Sequence, residues 1–123
     1  MLEVILPFPD SRLNPNNSKG HHWAKTSQLR ADARGGAFIL AKLALRKTGA
    51  LELAGDIALT ITFVQPDRRR RDRDNLLSAC KPMLDGLADA LGVNDTQFEP
   101  ITISRKFGGK PGSVVVKIGV VHE

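Results

Sequence analysis

Between residues 56 and 91 the hydrophobic period of the chain changes from two to three-and-four, and that change constrains the fold more than any other feature. Ile57, Leu59, Ile61 and Phe63 alternate with Ala58, Thr60 and Thr62, the pattern of a half-buried strand over about residues 56 to 64. Leu77, Cys80, Leu84, Leu87 and Leu91 then recur at 3-4-3-4 spacing, which puts one apolar stripe on a helix from about residue 74 to 91. A neighbouring stripe of that helix carries Asp74, Ser78, Lys81 and Asp85. Pro82 falls inside it, where proline removes a hydrogen bond and crowds the preceding turn, so the pattern allows a kink there or a start nearer Lys81.

The remaining segments fit around this pair. Residues 2 to 6 read as a short strand closed by Pro7 and Pro9, and residues 10 to 25, rich in Asn, Ser, Lys, Gly and His, read as an exposed loop. His21 and His22 in that loop point in different directions on any regular backbone; they make a poor joint metal ligand and fit contact with a nucleic acid or a plain loop role. Leu29, Ala33, Phe38, Ala41 and Leu45 predict a helix over about residues 27 to 48, weakened at Gly35-Gly36 and capped by Gly49. Residues 94 to 97 form a turn, and residues 101 to 107 and 113 to 121 read as strands joined by a Gly- and Pro-rich loop expected to be mobile. The order β-α-β-α-β-β predicts one compact α+β domain over residues 1 to 123, with its helices packed on a mixed sheet.

Composition narrows the partners. A net charge of +5 favours an acidic partner, nucleic acid first. The single cysteine, Cys80, excludes an intramolecular disulfide and a multi-cysteine zinc site. Cys80 falls on the apolar repeat of its helix, a poor place for a nucleophile. No basic-then-apolar leader opens the sequence and no apolar run approaches the ~18 to 20 residues of a membrane span, so the expected location is cytoplasmic, with no membrane partner.

The strand delivers its chain into the strip Pro66-Asp67-Arg68-Arg69-Arg70-Arg71-Asp72-Arg73-Asp74-Asn75-Leu76. On an extended backbone Asp72 and Asp74 share a face and can reach one cation, while the arginines supply guanidinium forks for phosphate oxygens. Carboxylates to hold a divalent ion beside cations to hold a backbone is the composition that polyanion hydrolysis requires. The plainer reading of the same strip is a solvated charge run, with Asp74 capping a helix that begins at Asn75.

This strip resembles the signature of the RusA family of Holliday-junction resolvases, small endonucleases that resolve four-way DNA junctions. The resemblance extends in order along most of the chain. It includes the opening Leu6-Pro7-Phe8-Pro9, the stretch Lys81-Pro82-Met83-Leu84-Asp85-Gly86-Leu87, and the turn Asn94-Asp95-Thr96-Gln97. The resemblance implies a crossover junction endodeoxyribonuclease acting in DNA recombination and repair, dependent on Mg²⁺ or Mn²⁺ and working as a homodimer. It implies Asp72, Asp74 and Asp95 as metal-binding catalytic acids and Lys81 as the catalytic lysine. It further implies DNA contact by Arg71, and the neighbouring Arg68, Arg69, Arg70 and Arg73 suit phosphates. The chain departs from the family pattern at three places. Ser78 stands where the lysine is commonly found, one turn after the second aspartate; Asn94 stands where some relatives have an acid; Arg73 replaces an apolar residue. Two other functions fit the same residues: a non-catalytic nucleic-acid-binding module, and a metal-dependent nuclease acting on flaps or RNA.

Overall fold

A computed structural model describes residues 2–14, 23–49 and 53–120. Four strands form one mixed sheet: β1 (Leu2–Pro7), β2 (Ile57–Gln65), β3 (Phe98–Phe107) and β4 (Ser113–Val120), in spatial order β1-β4-β2-β3. β4 runs antiparallel to both β1 and β2, whereas β3 lies parallel to β2. A parallel pair needs a crossover, and α2 (Arg73–Leu91) supplies it; α1 (Trp23–Thr48) links β1 to β2. Short 3₁₀ turns occupy Ser11–Leu13 and Asp95–Gln97. Two helices on a mixed sheet is the expected α+β architecture.

The register shows why the sheet has one dry face. Leu6, Val114 and Phe63 align across three strands, as do Val4, Val116 and Ile61, and then Leu2, Ile118 and Leu59. All nine are buried, and both helices contribute to the cluster they form. Period-two alternation puts the intervening residues on the opposite face, where Glu3, Ile5, Thr60 and Lys117 are exposed.

Four details differ from the sequence expectation. The first helix begins at Trp23 rather than near residue 27, so the expected loop loses its last residues; His21 and His22 lie outside the described residues. The second helix runs without a break through Pro82, whose ring is buried where the missing N–H costs one ladder bond but the apolar ring is sheltered. Its buried face is also wider than a single stripe. Leu76, Ala79, Cys80, Met83, Leu84, Leu87, Ala88 and Ala90 are all buried, whereas Leu77 and Leu91 of the expected stripe are only partly so. The helix meets the sheet on one side and α1 on another, so one stripe is not enough.

The contact between the helices is close. A Cβ added to Gly86 would lie 2.2 Å from the backbone oxygen of Arg34. Beside it the Arg34 guanidinium donates two bonds to the Asp89 carboxylate, at 2.6 and 2.9 Å. β3 starts at Phe98, earlier than expected, and carries Pro100; an edge strand tolerates the lost N–H.

Candidate nucleic-acid and metal site

β2 ends at Gln65 beside the loop after β3, where the N–H groups of Gly108 and Gly109 donate to the Gln65 carbonyl. The arginine strip is therefore an irregular connection from the sheet edge to the N-terminus of α2. Asp67 organises it. Its carboxylate accepts from the Arg69 backbone N–H at 2.9 Å and from both terminal nitrogens of Arg71, at 2.9 and 3.2 Å. The Arg71 pair holds Asp67 below the ordinary carboxylate range, with the Arg69 N–H adding to the effect. Arg71 also lies over the Phe8 ring, 5.2 Å from its centroid, with a side chain only 19% exposed. Arg71 is thus held in place, with part of its hydrogen-bonding capacity already used. Arg68 stacks over the Phe107 ring at 4.3 Å, and Arg105 donates to the Arg71 carbonyl.

Arg69, Arg70 and Arg73 are exposed and enter no ion pair among the described residues. Arg70, Arg71, Arg73 and Arg105 line a cleft of about 590 Å³ with Asn14, Asp72 and Asn75. Four guanidinium groups against one carboxylate suit a phosphate-rich ligand.

Asp72 keeps an extended backbone, at φ −76° and ψ 132°, but Asp74 does not. Asp72 is the N-cap of α2, its Oδ1 accepting from the Asp74 N–H at 2.8 Å, and Asp74 lies in the first helical turn. The cap therefore lies two residues earlier than the Asp74 cap considered above. Both carboxylates are exposed at the positive end of the helix, where negative charge is favoured. Asp74 has no side-chain hydrogen bond among the described residues.

Lys81 and Asp95 form a second cluster. The Lys81 ammonium donates to Asp85 at 2.8 Å and to Asp95 at 2.6 Å, which raises its pKa through these two bonds. Lys81 in turn holds Asp95 below its ordinary value of 3.8. Asp95 reaches the helix because α2 ends at Gly92, in the left-handed region at φ 69°, and the chain turns back. Asn94 then caps the turn at Asp95–Gln97 through a reciprocal capping box with Gln97. Ser78 and Lys81 open onto a cleft of about 720 Å³ between the helices, lined also by Arg12, Arg30, Arg34 and Asp85.

Seven residues separate Asp74 from Lys81, about 10 Å of helix rise. The fold thus presents an acid pair beside the arginine cleft and, further along α2, a lysine bridging two other acids. Among the described residues no three His, Cys, Asp or Glu side chains come close enough to hold one metal ion, so Asp95 is not brought to Asp72 and Asp74. The remaining acid pair suits a metal held partly by its substrate. Mg²⁺ is commonly held by one or two carboxylates, with water and substrate phosphate completing the octahedron, and Asp72 and Asp74 fit that smaller set. Cys80 is fully buried and its thiol is pushed up to about 12 by desolvation, which rules out a thiolate role at neutral pH.

Sequence reasoning did not single out Asp67, Phe8, Phe107 or Arg105. Asp67 carried a local signal, its place four residues before Arg71 within the strip, and Phe8 lay in the Leu6-Pro7-Phe8-Pro9 start, but neither was given a role. No helix among the described residues is long and apolar enough to cross a membrane.

The whole-chain comparisons add kinship without an activity. No protein-family model matches the chain. An uncharacterized protein of Xylella fastidiosa (strain Temecula1 / ATCC 700964) is 36% identical over 118 residues, covering 96% of this chain and 76% of that protein. The chain belongs to the same family as that protein.

Proposed function

We propose that this protein is a Mg²⁺-dependent, structure-specific endodeoxyribonuclease that resolves four-way DNA junctions by paired cuts. The observation that carries the reading is the exposed acid pair Asp72 and Asp74 at the N-terminus of α2, opening beside a cleft lined by four arginines. Carboxylates beside a phosphate-binding surface weaken binding unless a cation lies between them, so the pair fits a metal better than it fits simple DNA affinity. Bound there, Mg²⁺ would supply polarisation of the scissile phosphate and activation of a water. Arg69, Arg70 and Arg73 hold the flanking phosphates in a salt-sensitive, sequence-independent way. Lys81, on the Asp74 side of α2 but about 10 Å further along, offers positive charge to the transition state once substrate phosphate displaces Asp85 or Asp95 from it. Two copies are needed for two cuts, since one chain carries one acid pair.

Two observations favour a second reading. Asp72 already caps α2, and Asp95 is engaged by Lys81 away from the pair, as in a non-catalytic nucleic-acid-binding module. Incubation with a labelled four-way junction, a flap, a linear duplex and an RNA, each with and without Mg²⁺, separates the two. Metal-dependent nicking of the junction above the other substrates is the expected result. Tight junction binding without nicking in Mg²⁺ or Mn²⁺ would establish the binding module instead, and preference for the flap or the RNA would reassign the substrate.

A further inference from the structure

The face of α1 turned away from the core has an apolar centre. At roughly 100° per residue, Asp32, Gly35, Gly36, Ile39, Leu43 and Arg46 fall on one side of the helix, opposite the buried Ala37 and Ala41. Ile39 is 60% exposed and Leu43 48%. Single exposed apolar residues are ordinary; the arrangement about Ile39 is not. Asp32 and Arg46 lie seven residues to either side of it, and Gly35 and Leu43 lie four to either side.

We propose that this face joins two copies of the chain, α1 against α1, antiparallel about a two-fold axis at Ile39. The proposal deepens the two-copy requirement of the nuclease reading and rests on that reading for its purpose. In an isologous contact each residue meets its mirror position on the partner copy. Ile39 then meets its own equivalent, Leu43 enters the notch over Gly35 and Gly36, and Arg46 meets Asp32. The notch is open: beyond the adjoining turns of its own helix, a Cβ at either glycine meets nothing within 4 Å among the described residues. Two glycines inside a helix weaken it, and the described fold makes no use of the space they leave. The charges select the orientation. A parallel pairing sets Asp32 beside Asp32 and Arg46 beside Arg46, whereas the antiparallel pairing sets unlike charges together at both ends. Nucleic acid suits this face less well, because its centre is apolar and one end is acidic.

The test is sedimentation velocity of the full chain at micromolar concentration, with circular dichroism to check folding. The wild type should sediment as a dimer and Ile39→Glu as a folded monomer. Asp32→Arg and Arg46→Asp should each raise the dimer dissociation constant at least tenfold, and the two together should restore it. A monomeric wild type, a dimer indifferent to Ile39→Glu, or a double exchange that restores nothing would overturn the interface. Junction assays keep the two readings apart. Ile39→Glu that nicks single strands but makes no paired cuts supports the interface, whereas a wild-type dimer that cuts nothing leaves the interface standing and removes the nuclease.

Discussion

Asp72 has a structural role and a proposed chemical one, and a single substitution separates them. Asparagine caps a helix about as well as aspartate but is a poor Mg²⁺ ligand. Asp72→Asn and Asp74→Asn should therefore abolish cleavage while keeping the fold and the affinity for junction DNA, measured by single-turnover nicking beside a binding titration. Wild-type cleavage by either variant removes the pair from the chemistry. Lys81 is tested in the same assay. Lys81→Ala should slow the single-turnover rate more than tenfold, above ~1.4 kcal/mol of barrier, with binding changed far less; an unchanged rate leaves Lys81 as a link between Asp85 and Asp95. The link also has a pH signature. Lys81 is raised above 10.5, so what it contributes to stability is fully present below that value and fades as pH climbs through the higher folded pKa. Asp95 is lowered below 3.8, so its contribution is present above that value and is lost as pH falls through the lower folded pKa. An NMR titration of the Asp95 carboxyl should have its midpoint under 3.8. A midpoint at or above it contradicts the Lys81 contact in solution. Both groups are well exposed, so the effect on overall stability is small.

At the scale of elements, α2 does most to position the site: its first turn holds the acid pair, its middle holds Lys81, and its close contact with α1 fixes its depth. Gly86→Ala tests that contact. The added Cβ would collide with a backbone carbonyl rather than a flexible side chain, so the helices must separate; overpacking of this kind costs about 1–3 kcal/mol. Denaturation midpoints should show the loss, and an unchanged midpoint would mean the helices pack less closely than described. Much of this was legible in the sequence, because strand alternation and the 3-4 repeat report burial directly. The Leu59 strand, the Leu84 and Leu87 face and the β-α-β-α-β-β order all follow from it. What was not legible depended on contacts between elements. The wide buried face of α2 reflects two neighbours, which no single helical stripe encodes. The Asp95–Lys81 bond depends on how Gly92 turns the chain back, and the grip of Asp67 on Arg71 forms within an irregular strip that has no period to read. Of the site, the acid pair and the exposed arginines were readable as a motif. Their geometry was not, since the extended backbone assumed for both acids ends at Asp72 and Asp74 is already helical.

For the whole molecule, charge and symmetry carry the account. A chain of net charge +5 gathers Arg70, Arg71, Arg73 and Arg105 in one cleft by the start of α2 and leaves Ile39 and Leu43 exposed on α1, the face proposed to pair two copies. Resolution needs both features: a surface that holds branched DNA by its phosphates, and a two-fold axis that sets identical acid pairs on strands of like polarity. The most direct measurement is cleavage of a supercoiled plasmid that extrudes a cruciform, with Mg²⁺ present, comparing wild type with Asp74→Asn. The account predicts linear product from paired cuts at symmetric positions across the junction, dependent on the metal and absent in the variant. Intact plasmid with either Mg²⁺ or Mn²⁺, single nicks at all times, or cleavage undiminished in Asp74→Asn would contradict it.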